Sequence, residues 1–143
     1  MSDSEVPDRY QDPETIRAVL GEAKTIAVVG LSPDPGRPSH DVARYLQAHG
    51  YRIVPVNPTE REILGEPSYA TLTDIPFAVD LVDVFRRPEY VPAIAEDAVK
   101  IGAKALWLQL GVISPEGAEI AGRGGLRVVV DRCTKVEHMR YGG

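Results

Sequence analysis

Three arginines, two serines and a short run of small residues are the positions in this chain best suited to chemistry. Gly30, Leu31 and Ser32 close an apolar run that begins at Thr25, and Arg37, Pro38 and Ser39 follow just before a helical pattern. Arg86 and Arg87 stand immediately after a second apolar run, Val79–Phe85. Arginine pairs bidentately with phosphate oxygens, and serine hydroxyls add neutral donors. A buried strand that ends in a small-residue loop and a helix N-terminus also points backbone N–H groups and a favourable dipole at an anion. These residues together describe a site for a small polyanionic ligand.

Acid–base and nucleophilic groups are less well arranged. Asp80 and Asp83 lie three residues apart on one strand, which sends them to opposite faces and prevents them from acting as a pair. Asp83 is expected to hydrogen-bond loop backbone near the site. His40, His49 and His138 sit at helix ends with no acid at dyad or metal-ligand spacing. The single cysteine, Cys133, stands two residues beyond the last strand and could border the site; no role in non-covalent binding is expected of it, although a mixed disulfide with a thiol ligand stays open. The pattern is that of a binder, with no catalytic residue and no metal ligand assigned.

Two standard nucleotide motifs are absent. The dinucleotide fingerprint needs G-x-G-x-x-G, but Gly30 is followed by Leu31 and Ser32, and the next glycine is Gly36. The acid expected after the second strand, to hold a ribose diol, is replaced by Asn57-Pro58. A phosphate-binding P-loop would need a lysine after its last glycine, and the chain has none between Lys24 and Lys100. Ordinary NAD binding and ATP hydrolysis are therefore poorly supported.

The elements that must position these groups follow from periodicity. Strands are expected at 25–31, 51–56, 79–85, 104–109 and 126–130. Helices are expected at about 12–21, 39–49, 88–101, 115–122 and 134–141. Asp12-Pro13-Glu14 and Ser114-Pro115-Glu116 each combine an N-cap, a proline at the first helical position and an acid in the first turn. Residues 57–78 carry no strong period; Ile63–Glu66 suggests a small ribbon or turn and Thr71–Pro76 a single helical turn. Pro55 removes a ladder donor from the second strand, so its end should be irregular or lack a partner there. Strands alternating with helices give an α/β fold, with a five-stranded parallel sheet covered by helices on both faces. The expected strand order is 3-2-1-4-5, which places the crevice where the order reverses, above strands one and four. Loops 31–38, 57–59, 85–88, 109–114 and 131–135 should converge there.

Bulk properties limit the partners. The 143 residues suit one domain, with residues 1–11 expected to form a loosely held tail. A net charge of −5 argues against nucleic acid, which calls for a basic surface. One cysteine excludes an intrachain disulfide framework. The polar, acidic N-terminus lacks a secretory signal, and no apolar run approaches the roughly 20 residues that span a bilayer. A cytoplasmic location is expected, with no membrane partner; protein partners and oligomeric state stay open.

Taken along its length, the sequence resembles the small standalone CoA-binding proteins, related to the N-terminal CoA-binding domain of the succinyl-CoA ligase α subunit. The resemblance rests on Ile26–Ser32, Arg37–Ser39, Gly50-Tyr51 with Val54–Pro58, Tyr69–Leu72, Val79–Arg86, Gly102–Lys104 with Leu106–Val112, and Val129–Cys133. It implies a three-layer, Rossmann-like fold that binds coenzyme A or an acyl-CoA. By the same resemblance, Gly30, Leu31, Ser32, Arg37, Pro38 and Ser39 would follow the phosphates. Val54, Pro55, Asn57 and Pro58 would flank the adenosine, with Val84, Phe85 and Arg86 on its other side. Gln109, Leu110 and Gly111 would meet the start of the pantetheine arm. Asn57 suits such a ligand, because an acid there would repel its 3′-phosphate. The ligase also needs a second domain with a phosphorylated histidine, which these residues do not supply, so its chemistry is not carried over. Two alternatives stay open: an enzyme using NADP or another nucleotide, and a regulatory or interaction module with a vestigial site.

Overall fold

A computed structural model describes residues 6–142 of the chain. Five parallel strands form the central sheet: β1 (Thr25–Val29), β2 (Arg52–Val56), β3 (Leu81–Val84), β4 (Ala105–Leu108) and β5 (Arg127–Val130). Helices α1 (Pro13–Glu22), α2 (Pro38–Ala48) and α5 (Thr134–Tyr141) cover one face, while α3 (Val91–Lys100) and α4 (Pro115–Arg123) cover the other. Successive strand residues alternate between the two layers. Ile26, Val28, Ile53, Leu81 and Trp107 pack toward α1, α2 and α5. Ala27, Val29, Val54, Val82, Val84, Leu106 and Leu108 pack toward α3 and α4. Burying each large apolar side chain is worth about 1.5–3 kcal/mol, so both layers contribute substantially to stability.

The strand order is β2-β1-β3-β4-β5, which corrects the expected 3-2-1-4-5. The third strand lies between the first and the fourth, not outside the second. The cause is the connection 57–78. It makes a two-residue antiparallel ribbon, Glu62–Ile63 with Glu66–Pro67, and a 3-10 turn at Leu72–Asp74. Leu72 and Ile75 bury themselves on the α3/α4 face, opposite α2. Right-handed crossovers tie the face of a connection to its direction along the sheet, so a change of face sends the chain back across β1. The order therefore reverses between β1 and β3.

Local signals hold well. Asp12 accepts from the Thr15 N–H at 3.0 Å and Pro13 opens α1; Ser114 accepts from the Gly117 N–H at 3.1 Å and Pro115 opens α4. A 3-10 turn at Pro88–Tyr90 precedes α3, which starts at Val91, slightly later than the proline suggested. Gly117 and Gly124 let α4 approach α3: a Cβ on either would stand 2.4 Å from a Val91 or Val99 methyl.

Both outer strands of the sheet carry an added contact. Pro55 sits on β2 with its carbonyl turned away from β1, accepting from the Tyr69 N–H at 3.0 Å, so its missing donor is not lost from the β1 ladder. Asn57 N–H in turn donates to the Tyr69 carbonyl at 2.9 Å. On the far side, Gln11 Nε2 donates to the Val130 carbonyl at 3.1 Å, and Val6 and Tyr10 pack on the core. The segment expected to hang loosely is thus held to the sheet from residue 6 onward; residues 1–5 lie outside the described residues.

Candidate functional site

A cleft of about 440 Å³ opens at the carboxyl ends of β1, β3 and β4. Four segments line it: Gly30 and Ser32 after β1, Arg37–Ser39 with Val42 at the start of α2, Phe85–Pro88 after β3, and Gln109–Val112 after β4. Cys133, at the cap of α5, completes the wall.

Gly30 explains why the first wall can form. Its φ is +87°, and a Cβ would lie 2.9 Å from both the Phe85 carbonyl and Arg86 Cδ. Only glycine lets the β1 loop turn while Arg86 lies across it. The loop is then braced from within. Ser32 N–H donates to Ser39 Oγ at 3.0 Å, and Asp34 N–H donates to Ser32 Oγ at 3.1 Å. His40 Nδ1 lies 2.9 Å from the Ser32 carbonyl; since a carbonyl only accepts, Nδ1 carries the proton. His40 is thereby a brace for the loop. Asn57 Nδ2 donates to the Leu31 carbonyl at 3.0 Å, bracing the same loop from β2.

The electrostatics favour an anion. Arg37 is the N-cap residue of α2, with extended backbone and no side chain capping the helix, so the N-terminus of this helix opens on the cleft wall. Among the described residues, no carboxylate lies within 4 Å of Arg37 or Arg86. Arg86 stacks over the Tyr90 ring at 4.3 Å, and Arg87 donates to the Tyr90 hydroxyl at 3.2 Å. That Arg87 hydrogen bond, with the charges of both arginines, holds the Tyr90 phenol below its ordinary value.

The floor is polar and buried. Asp83, in the middle of β3, is fully enclosed; its carboxylate oxygens accept from Gln109 Nε2 at 2.6 Å and Thr134 Oγ1 at 3.0 Å. Burial pushes its carboxyl up to about 7, partly offset by those two hydrogen bonds. The expected partner was loop backbone; the actual partners are side chains. Asp131, in the left-handed region at φ +59°, accepts from the Gly111 N–H at 2.8 Å and ties the β5 loop to the β4 loop.

Of the residues expected at the site, Gly30, Ser32, Arg37, Pro38, Ser39, Phe85, Arg86, Gln109, Leu110 and Gly111 come together around this cleft. Leu31, Val54 and Val84 are buried in the core instead, and Pro55, Asn57 and Pro58 stand at the end of β2, beyond β1. Sequence reasoning missed Val42 and Val112 on the walls and Thr134 in the floor. Thr134 had a signal: a polar residue on the inward face of the last helix, one position after the cysteine. Asp80, by contrast, belongs to the opposite end of the sheet. Although burial pushes its carboxyl up, the Thr25 and Lys24 N–H groups and Lys104 hold it below its ordinary value. A groove there is lined by Asp80, Lys104, Glu22 and Arg127, whose charges cancel in two ion pairs. No group of three or more metal-ligating side chains gathers among the described residues.

A parallel sheet reversing between β1 and β3, with an uncapped helix N-terminus and unpaired arginines at that point, defines a Rossmann-like nucleotide-binding domain. The profile of the CoA binding domain matches residues 24–139, and the chain belongs to that family. It is 42% identical over 123 residues to the uncharacterized protein YneT of Bacillus subtilis, covering 86% of this chain and 91% of that one. A solved structure, a hypothetical protein from Pyrococcus horikoshii OT3, is 38% identical with a TM-score of 0.91, and the match covers 100% of both chains. The ADP-forming acetate–CoA ligase I of Archaeoglobus fulgidus is 29% identical over 120 residues, 77% of this chain but 18% of the ligase. The chain is thus a CoA-binding domain homologous to one part of the ADP-forming acetate–CoA ligases. No helix among the described residues is long and apolar enough to cross a membrane.

Proposed function

We propose that the chain acts as a non-catalytic CoA or acyl-CoA binder, one unit over residues 1–143, working in the cytoplasm. The observation that carries this reading is the pairing of Arg37 and Arg86, both without carboxylate partners, with the open N-terminus of α2. A diphosphate and a ribose 3′-phosphate need such groups, and among the described residues the cleft lining pairs no acid with a base for group transfer. Gly30, Ser32 and Ser39 would follow the phosphates and Gln109–Gly111 the pantetheine arm. Asn57 would act through the loop it braces. We extend the homology to the corresponding domain of the succinyl-CoA ligase α subunit on the motifs Ile26–Ser32 and Leu106–Val112.

Calorimetric titration with CoA, dephospho-CoA, NAD, NADP and ATP tests this. CoA should bind well below millimolar and dephospho-CoA more weakly. CoA binding no tighter than millimolar would overturn the reading, and saturable NADP binding without CoA competition would favour a nucleotide-using enzyme. Arg37→Ala should weaken CoA by about 1.5 kcal/mol, the low end for a charge-assisted contact, because Arg37 is exposed. An unchanged dissociation constant would return Arg37 to the solvated surface.

A further inference from the structure

The buried network below the cleft decides which end of an amide faces the ligand. Asp83 accepts from Gln109 Nε2 and from Thr134 Oγ1, and the second hydrogen of Nε2 goes to Thr134 Oγ1 at 2.9 Å. An ionised carboxylate only accepts, and the single hydroxyl hydrogen of Thr134 is spent on Asp83, so its oxygen must accept from the amide. One orientation of Gln109 satisfies both: NH₂ downward, Oε1 away from Asp83. Among the described residues Oε1 receives no hydrogen bond, and the one buried side-chain oxygen without a partner is elsewhere, at Glu137. Gln109 lines the cleft, so its Oε1 is open to it.

We propose that Asp83 and Thr134 are positioning residues that hold Gln109 Oε1 as a fixed acceptor in the cleft floor, selecting ligands that bring an amide N–H to that point. This rests on the CoA reading and deepens it. A phosphate cannot sit over Oε1, because acceptor would face acceptor; phosphates belong at Arg37 and Arg86. Leu110 and Val112 flank the acceptor with apolar surface. The ligand part that fits is an extended, mostly apolar chain carrying N–H groups, the chemistry of the pantetheine arm.

The lock depends on the charge of Asp83. Once protonated, Asp83 can donate to Oε1, and the amide can turn over to present N–H to the ligand. The ionisable groups buried on this face are His40 of α2, Tyr51 just before β2, and Glu137 and His138 of α5; Asp41 and Tyr45 of α2, Cys133 at the α5 cap and Lys135 of α5 are half-buried, and α1 contributes Ile16, Val19 and Leu20. None of these ionisable groups is hydrogen-bonded to Asp83. The in-register neighbours on β1 and β4 are Val28 and Trp107.

The test titrates the full chain at pH 8 and pH 6 with CoA and with adenosine 3′,5′-bisphosphate, which ends before the arm. The ratio of the two dissociation constants removes the effect of titrating the shared 3′-phosphate; the 5′-phosphate of the bisphosphate also titrates at about pH 6, where the diphosphate diester of CoA does not, so the wild-type ratio is read against that of Asp83→Asn. Gln109→Ala should weaken CoA about three- to tenfold and leave the bisphosphate within about twofold. Equal weakening of both, or of neither, overturns the proposal. From pH 8 to pH 6 the preference for CoA should fall in wild type relative to Asp83→Asn, which pairs with either amide orientation and has no titrating group at this position. A wild-type pH profile retained in that variant also overturns the proposal, and this arm decides if Gln109→Ala does not fold. A wild-type chain that binds the bisphosphate but gains nothing from the arm overturns this inference alone. Binding neither ligand overturns the CoA reading with it.

Discussion

Asp83 and Gly30 are the residues whose substitution is most informative. Asp83 ionises at about 7 in the folded chain but near 3.9 when unfolded. Between those values the folded state keeps a proton that the unfolded chain has released, so this group lowers stability as pH rises from about 4 to about 7. The full effect is on the order of 4 kcal/mol. Asp83→Asn removes it. The melting temperature of the variant relative to wild type should therefore shift in its favour by about 5 °C or more between pH 5 and pH 8. Parallel melting curves across that range would refute the assignment. Gly30→Ala meets both a positive φ and the Phe85 carbonyl, and should cost about 1–3 kcal/mol in denaturant unfolding while displacing Arg86 and weakening CoA. At this scale the sequence was readable where a residue acts alone. Arg37 and Arg86 were recognisable as cations in the loops that follow apolar strands. The partners of Asp83 were not, because Gln109 and Thr134 lie 26 and 51 residues away and meet it only through the fold.

At the scale of elements, caps and periods were legible because their causes are local. Asp12-Pro13 and Ser114-Pro115 mark their helices within a residue. The strand order was not legible, since it turns on which face Leu72 and Ile75 choose, a decision made by the whole core. It was the resemblance, not the strand order, that set Val54 to Pro58 beside the adenosine; the residues that line the cleft do not include them. The close approach of α4 to α3 gives a sharp test. Gly124→Ala should cost about 1–3 kcal/mol through overpacking against Val99. Val99→Ala in the same chain should restore part of the loss, and a double-mutant cycle measures the coupling. Strict additivity of the two changes would mean that the pair does not touch.

For the whole molecule, a net charge of −5 coexists with a cationic cleft, so the affinity for a polyanion is a local property of a few side chains. A ligand that binds only the folded state must stabilise it. CoA at a hundredfold excess over its dissociation constant should add about 2.7 kcal/mol, visible as a rise in melting temperature. A folded chain whose melting temperature ignores CoA and other nucleotides alike would favour a vestigial site.

The contacts on the two outer strands bear on how copies of this chain can meet. An open strand edge is a template on which another chain can add, and it invites aggregation. Here β2 has its outward carbonyl at Pro55 engaged by Tyr69, and β5 has Val130 engaged by Gln11. Joining two sheets into one continuous ladder would require displacing these segments first. A strand added at either edge would compete with these contacts, and the cleft lies at the strand ends and not along the edges.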